Sequence, residues 1–355
     1  MAPMGVQRTM KSAFLVAARK FELREVPEPV APADGLVLDV KACGICGSDL
    51  RRWKEGPAAG TDSLVPGHEV AGVVAQVGKN VTRFSVGERL AVAPDIHCGR
   101  CYYCQRELYN LCDHIRFIGV TPGHFGGFAE KMVLTGEILQ NGIVHHMPGG
   151  VSFIEGSLAE PLCSVLATHQ KANTSRDDTL VVMGAGPMGC LHIILAKARG
   201  ASVIVSEPSE FRRTMVQRFR PDAVVDPFEE NLADRVRELT GGVGADIVIC
   251  ANPVGQTQTQ AVEIVRKAGR IVLFGGLPKT DHMVTLDANR IHYGEIEVVG
   301  SFSYHPDVHR LALDTLNGKL VKAELLVTHT FSLDRVGEAF ETAASGEALK
   351  VMVTT

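Results

Sequence analysis

An apolar strand over Thr179–Met183 runs straight into Gly184-Ala-Gly186-Pro187-Met188-Gly189 and on into a helical stretch that stops at Gly200, which leaves few folds open to the second half of this chain. The first glycine permits a tight turn. The second lets the backbone approach a pyrophosphate, and the third lets helix and strand pack closely. The helix start, with Pro187 and Met188, offers free N–H groups and a positive dipole end to phosphate. A strand at 201–205 then leads to Glu207, about twenty positions on, where a carboxylate accepts hydrogen bonds from a ribose and repels a 2′-phosphate. NAD is therefore expected ahead of NADP. Arg212, with Arg213 beside it, is a further cofactor candidate, able to meet a phosphate or stack on adenine.

The alternation continues. Short apolar strands at 223–225, 245–250, 270–274 and 297–299 are interspersed with helical patterns at 231–239 and 257–267. This rhythm predicts a doubly wound parallel sheet over residues 156–299, so the chain is of the α/β class. Ligands bind at the carboxyl ends of such strands, which places Phe274, Gly275, Ser301 and Phe302 at the border of a nicotinamide. Residues 1–155 read differently, as short Val-rich strands punctuated by Gly or Pro. Beyond residue 300 come a helix around 308–317 and strands at 325–329 and 350–353.

Cys98-Gly-Arg-Cys101-Tyr-Tyr-Cys104 and Cys112 bring four thiols into one short segment. Two disulfides are the alternative to a metal. The chain opens on mixed polar residues without the apolar run of a secretory signal, and reducing compartments keep thiols free, so a tetrahedral Zn²⁺ site is expected. Four thiolates leave no open coordination position, which makes this zinc structural. The net charge of −4, with no run of Lys or Arg beyond two, gives nucleic acid nothing to hold. No apolar stretch approaches the ~18 residues of a membrane span. A cytoplasmic protein acting on a small molecule is expected.

Two other segments carry ligand-type residues: Cys43-Gly-Ile-Cys46-Gly-Ser48-Asp49 and Pro66-Gly67-His68-Glu69. Read with Gly126-Gly127-Phe128-Ala129-Glu130, Ala159-Glu160-Pro161-Leu162, the four-cysteine segment and the glycine turn, in this order, the chain resembles the zinc-dependent medium-chain dehydrogenases. Within them it is similar to the sorbitol (polyol) and threonine dehydrogenase branch. The resemblance runs from Met10 to Val351. It implies a GroES-like β-rich catalytic domain at 1–155, completed by 300–355, and a Rossmann NAD-binding domain at 156–299. It implies two zinc ions per chain, one catalytic and one structural, and a homo-oligomer, tetramer or dimer.

Residue by residue, the resemblance gives Cys46 as the catalytic zinc thiolate, His68 as the imidazole ligand, Glu69 as a carboxylate that binds or swings off the metal, and Glu160 as a carboxylate reaching it directly or through water. Cys43 falls at a position that does not ligate, and Cys98, Cys101, Cys104 and Cys112 hold the structural zinc. The Ser48 hydroxyl hydrogen-bonds the bound alcohol and begins the proton path. Many relatives continue that path with a histidine three residues on. This chain has Arg51, which cannot shuttle protons, so the route outward uses water, the cofactor ribose or another group. Trp53 and Phe117 either shape the substrate pocket or pack in the core.

The chemistry implied is hydride transfer from a secondary hydroxyl of a polyol or sugar-like substrate to NAD⁺. A threonine or amino-alcohol dehydrogenase is a second reading, and a sugar-phosphate dehydrogenase, with Arg51 and Arg52 as phosphate contacts, a third. A non-catalytic zinc-binding protein would have lost a ligand or a glycine, and this chain has lost none.

Overall fold

The computed structural model describes residues 8–57 and 63–355, and the chain divides into two units, Met1–Pro161 with Tyr304–Thr355, and Leu162–Ser303. In the first, β1 (Thr9–Ala17) and β2 (Lys20–Pro27) form an antiparallel hairpin. The strand β3 (Leu36–Gly44) is buried along most of its length and leads through Ile45 and Cys46 into α1 (Gly47–Glu55). There follow β4 (Glu69–Val77), β5 (Arg89–Ala93), the two-residue strands β6 (Asp95–Ile96) and β7 (Arg116–Phe117), then β8 (Lys131–Leu134), α2 (Gly136–Asn141), β9 (Ile143–His146) and α3 (Phe153–Ser157). The helix α4 (Ala159–Lys171) begins in this unit and continues into the next.

In the second unit β10 (Thr179–Met183) leads to α5 (Pro187–Ala198), β11 (Ser202–Ser206), α6 (Glu210–Val216), β12 (Ala223–Val225), α7 (Leu232–Leu239), β13 (Ala245–Cys250), α8 (Gly255–Ile264), β14 (Val265–Leu273), α9 (Ala288–Gly294) and β15 (Glu297–Gly300). All its strand pairs are parallel, in the order β12-β11-β10-β13-β14-β15. That is the doubly wound order, with the reversal beside β10. Central strands of a parallel sheet are covered on both faces, which is why Val181, Val182, Val248 and Ile249 are wholly buried and read as unbroken apolar runs. The helix expected over 257–267 stops at Ile264. Val265, β-branched and paired with Ala245, takes extended geometry and opens β14 instead.

The chain then returns to the first unit with α10 (Pro306–Asn317), α11 (Ala323–Leu326), β16 (Val327–Ser332), α12 (Val336–Ala344) and β17 (Lys350–Thr354). The strand expected at 325–329 starts two residues later, after the turn of α11. Its seven-stranded sheet has the order β16-β17-β3-β4-β5-β9, with β8 also on β3. Here the C-terminal strand lies against the strand that ends before Cys46. Leu38, Val70, Val92, Phe128 and Phe340 are in the core of this unit, and so is Trp53, which packs 5.9 Å from the Phe340 ring. Among the described residues no helix is long and apolar enough to cross a membrane.

Candidate functional site

Gly44 is paired in register with Glu69, so the β3–β4 ladder carries Cys46 and His68 to the same end of the sheet. A side chain at position 44 would place its Cβ 1.9 Å from Glu69 Oε2, which only glycine avoids. Cys46 precedes the first turn of α1 with extended backbone, and its N–H donates to Asp49 Oδ2 at 3.0 Å. There Cys46 Sγ, a ring nitrogen of His68 and a carboxylate oxygen of Glu69 lie within 4.8 Å of one another. Zinc bonds of about 2.0–2.3 Å set tetrahedral ligand atoms about 3.3–3.8 Å apart, so this group closes on an ion with small side-chain shifts.

His68 has a polar group on either side, the Asp49 one at ion-pair distance without hydrogen-bond alignment. Its Nδ1 lies 3.3 Å from Asp49 Oδ1, and its Nε2 is 3.5 Å from the Ser48 hydroxyl. Burial is the largest influence and favours the neutral ring, but the Asp49 charge and hydrogen bond, with Cys46, together raise His68 well above the usual histidine range. A cation held by the His68 ring would displace a proton from it.

Glu160 falls outside the group of three. Its Oε1 accepts a hydrogen bond from the Tyr304 hydroxyl at 2.9 Å. Burial pushes its carboxyl up to about 7, with His68 opposing and Glu69 and Asp95 adding to the rise. Cys43 also stands apart from the group of three, and burial raises its thiol well above the ordinary value.

The sulfurs of Cys98, Cys101, Cys104 and Cys112 form a second group within 4.8 Å. Cys101 and Cys104 are 3.5 Å apart and Cys98 and Cys104 4.0 Å, on either side of the spacing of a tetrahedral zinc site. All nine cysteines are free. The backbone N–H groups of Cys98 and His114 donate to Cys112 Sγ at 3.2 and 3.4 Å. A backbone donor draws Cys101 down to about 6, whereas burial drives Cys104 up to about 12. Four crowded thiols ionise together only around a cation.

In the second unit Gly184 has φ of 109°, and a Cβ at Gly189 would lie 1.9 Å from the Gly184 carbonyl oxygen. A Cβ at Gly186 would meet nothing, and no side chain caps the start of α5. The first turn of that helix thus keeps open N–H groups facing free space, which fits a pyrophosphate. Glu207 is buried, and its two oxygens accept the N–H groups of Ala185 at 2.7 Å and Ser209 at 2.9 Å. Gly275, Phe274, Ser301 and Phe302 follow β14 and β15, at the same end of the sheet as Gly184.

Residues 32–144 match the family described as Alcohol dehydrogenase GroES-like domain, and 187–318 match Zinc-binding dehydrogenase. A sorbitol dehydrogenase of Halalkalibacterium halodurans is 33% identical to this chain, over 94% of it and 95% of its own length. This chain belongs to the zinc-dependent medium-chain alcohol dehydrogenases. A D-arabitol-phosphate dehydrogenase of Enterococcus avium is 32% identical over 92% of the chain and 91% of its own length. The fold of this dehydrogenase also matches a zinc-binding dehydrogenase from Sinorhizobium meliloti solved with NADP, with a TM-score of 0.90, 29% identity and coverage of 98% and 100%. It is an oxidoreductase in the polyol branch of a family that uses zinc and a nicotinamide cofactor.

Three residues of this dehydrogenase's site escaped the sequence. Asp49 had a visible signal, since an acid three residues into a helix commonly accepts the N-cap N–H. Lys350 and Tyr304 had none. The Lys350 Nζ is buried between Glu69 Oε1, at 2.6 Å, and the carbonyl oxygen of Ile45, at 2.9 Å. In the dinucleotide unit, Arg213 is bound to Asp226 at 2.8 Å and to the Glu207 carbonyl oxygen at 3.1 Å, whereas the Arg212 Nε is buried with no hydrogen-bond partner among the described residues.

Proposed function

We propose that the dehydrogenase oxidises a secondary hydroxyl of a polyol or sugar-like substrate, passing a hydride to NAD⁺. One zinc is held by Cys46 and His68, with Glu69 and Glu160 as its carboxylates, and a second by Cys98, Cys101, Cys104 and Cys112. The observation that carries this is the meeting of Cys46 Sγ, His68 and Glu69 within 4.8 Å, with the Ser48 hydroxyl 3.5 Å from His68 Nε2. Bound there, zinc supplies the Lewis acidity that lowers an alcohol's pKa toward neutrality.

The chain's own groups do the rest. Asp49 fixes the ring of His68 so that Nε2 faces the metal. Lys350 neutralises the Glu69 carboxylate that it contacts. Ser48 accepts a hydrogen bond from the substrate hydroxyl, and as it takes that proton it releases its own hydroxyl proton to the next acceptor outward. With Arg51 unable to pass the proton on, the route outward uses water, the cofactor ribose or another group, and Tyr304 keeps the Glu160 carboxyl in place through Oε1. Gly186 and the start of α5 take the pyrophosphate, and Glu207 favours NAD⁺ over a cofactor with a 2′-phosphate. Nine free cysteines suit a reducing compartment, so we place the enzyme in the cytoplasm, as a homo-oligomer.

The test is metal analysis beside a screen of polyols, amino alcohols and sugar phosphates with NAD⁺ and NADP⁺, read by absorbance of the reduced cofactor. Two zincs per chain and NAD⁺-linked polyol oxidation are expected. A single zinc that survives Cys46→Ser, or a higher kcat/KM with NADP⁺, overturns the corresponding part.

A further inference from the structure

We propose that Arg51 and Arg52 read a phosphate monoester on the substrate, so that the preferred substrates are phosphorylated polyols rather than neutral ones. This rests on the Cys46–His68 centre being the place where the alcohol reacts.

The helix α1 sets the geometry. Ser48 is at position i, and Arg51 and Arg52 at i+3 and i+4, so both arginines are its immediate neighbours on the helix surface, about 5–6 Å away at Cβ. Ser48 Oγ lies 3.5 Å from His68 Nε2, which puts this stretch of helix beside the candidate metal group. Arg51 is exposed and Arg52 half-buried. Among the described residues neither guanidinium has a hydrogen-bond or ion-pair partner. Several other arginines are committed: Arg24 to Glu22, Arg116 to Glu137, Arg335 to Glu338 and Arg89 to backbone carbonyls. Asp49, the acid on the first turn of α1, is turned inward to the Cys46 N–H and to His68, and offers them nothing.

The charge balance gives this pair a purpose. The centre gathers Cys46, Asp49, Glu69, Glu160 and Asp95, and Lys350 is the buried cation bound among them. A neutral polyol approaches such a site without help. A substrate carrying two negative charges needs a cation close to, but not at, the reacting hydroxyl. Two adjacent guanidiniums provide it, and their planar forks match phosphate oxygens in pairs. They repel one another until an anion lies between them. A guanidinium cannot carry a proton outward, so Arg51 can serve this centre only through its charge and its fork.

The holoenzyme is assayed with NAD⁺ on pentitols and hexitols and on their monophosphates. Wild type is expected to have the higher kcat/KM on the monophosphates. Arg51→Gln and Arg52→Gln should each lower the monophosphate-to-neutral ratio of kcat/KM by on the order of 10–100-fold, chiefly through KM for the monophosphate. Arg51→Lys and Arg52→Lys should restore part of it, since charge returns without the fork. Wild type that oxidises neutral polyols at least as well overturns this inference and leaves the alcohol-oxidising function standing. So do variants that lose both substrate classes alike, or whose loss appears in KM for NAD⁺. Wild type that oxidises neither class overturns the function itself.

Discussion

Lys350 Nζ lies 2.6 Å from Glu69 Oε1 across 281 positions of sequence, and both side chains are buried. Burial acts against the lysine's charge, yet the carboxylate of Glu69 and the charges of Cys46 and Glu160 hold its pKa above the ordinary value. The last strand of the chain is thereby tied to the mouth of the metal group. Removing one partner of a buried pair strands the other's charge, at a cost of about 3–5 kcal/mol, whereas removing both is far milder. Lys350→Met should therefore lower unfolding free energy by that amount, and Lys350→Met/Glu69→Gln should recover most of it. Urea unfolding of the two singles and the double measures this. Additive losses would show that the two residues do not act as a pair.

Asp49 lies behind His68, 3.3 Å from Nδ1. Asp49→Asn keeps the shape and an acceptor for the Cys46 N–H but removes the charge that orients the imidazole and strengthens it as a ligand. Such partners typically contribute 10–100-fold in metal affinity or activity. Dialysis against a graded chelator should strip one zinc from Asp49→Asn at 10–100-fold lower chelator strength than from wild type, while the other zinc stays.

What was legible in the sequence was what is local. The glycine turn and the four-cysteine segment each bring their own ligands together within a few residues, so spacing alone describes them. The same holds for Cys46-Gly-Ser48-Asp49 and for His68-Glu69, each of which the β3–β4 ladder delivers whole. What was not legible comes from far along the chain. Lys350 reaches Glu69 only because β17 pairs with β3, and Tyr304 reaches Glu160 across 144 positions. That second contact fixes one oxygen of the Glu160 carboxyl, and no local pattern announces it. Trp53 follows the same logic: pocket and core were both open for it, and α12 brings Phe340 against it in the core of the first unit.

The four-cysteine segment has little else to hold it. Of its residues 98–112 only Cys104 and Cys112 are buried, and its helical pieces are single turns. Its order depends on whatever joins the four sulfurs. Cys112→Ser should lose one zinc, melt at a lower temperature and become cleavable by protease near Tyr102, while the remaining zinc-bound enzyme keeps a kcat close to wild type. Unchanged melting with a large fall in kcat would reverse the roles of the two metal groups.

His145 and His309 meet Nδ1 to Nδ1 at 3.0 Å with their rings stacked, so one nitrogen donates and the other accepts, and both rings are neutral. Burial depresses His145 to about 4, with Arg310, Arg83 and His146 pushing the same way and Asp307 opposing; burial also depresses His309, to about 3. In the unfolded chain each titrates near the ordinary ~6.5. Between that value and about pH 4 the unfolded state binds more protons, so stability is full above pH 6.5 and falls as pH drops through this window. The loss per histidine approaches at most about 1.4 kcal/mol per pH unit. Urea unfolding at pH 6.5 and pH 4.5 should show a smaller decline in His145→Gln/His309→Gln than in wild type. His169 and His192 form a second buried pair, with ring nitrogens 3.3 Å apart, and both proteins share it together with the metal groups, so the difference between the two declines isolates His145 and His309. Parallel declines would mean the acid sensitivity lies elsewhere.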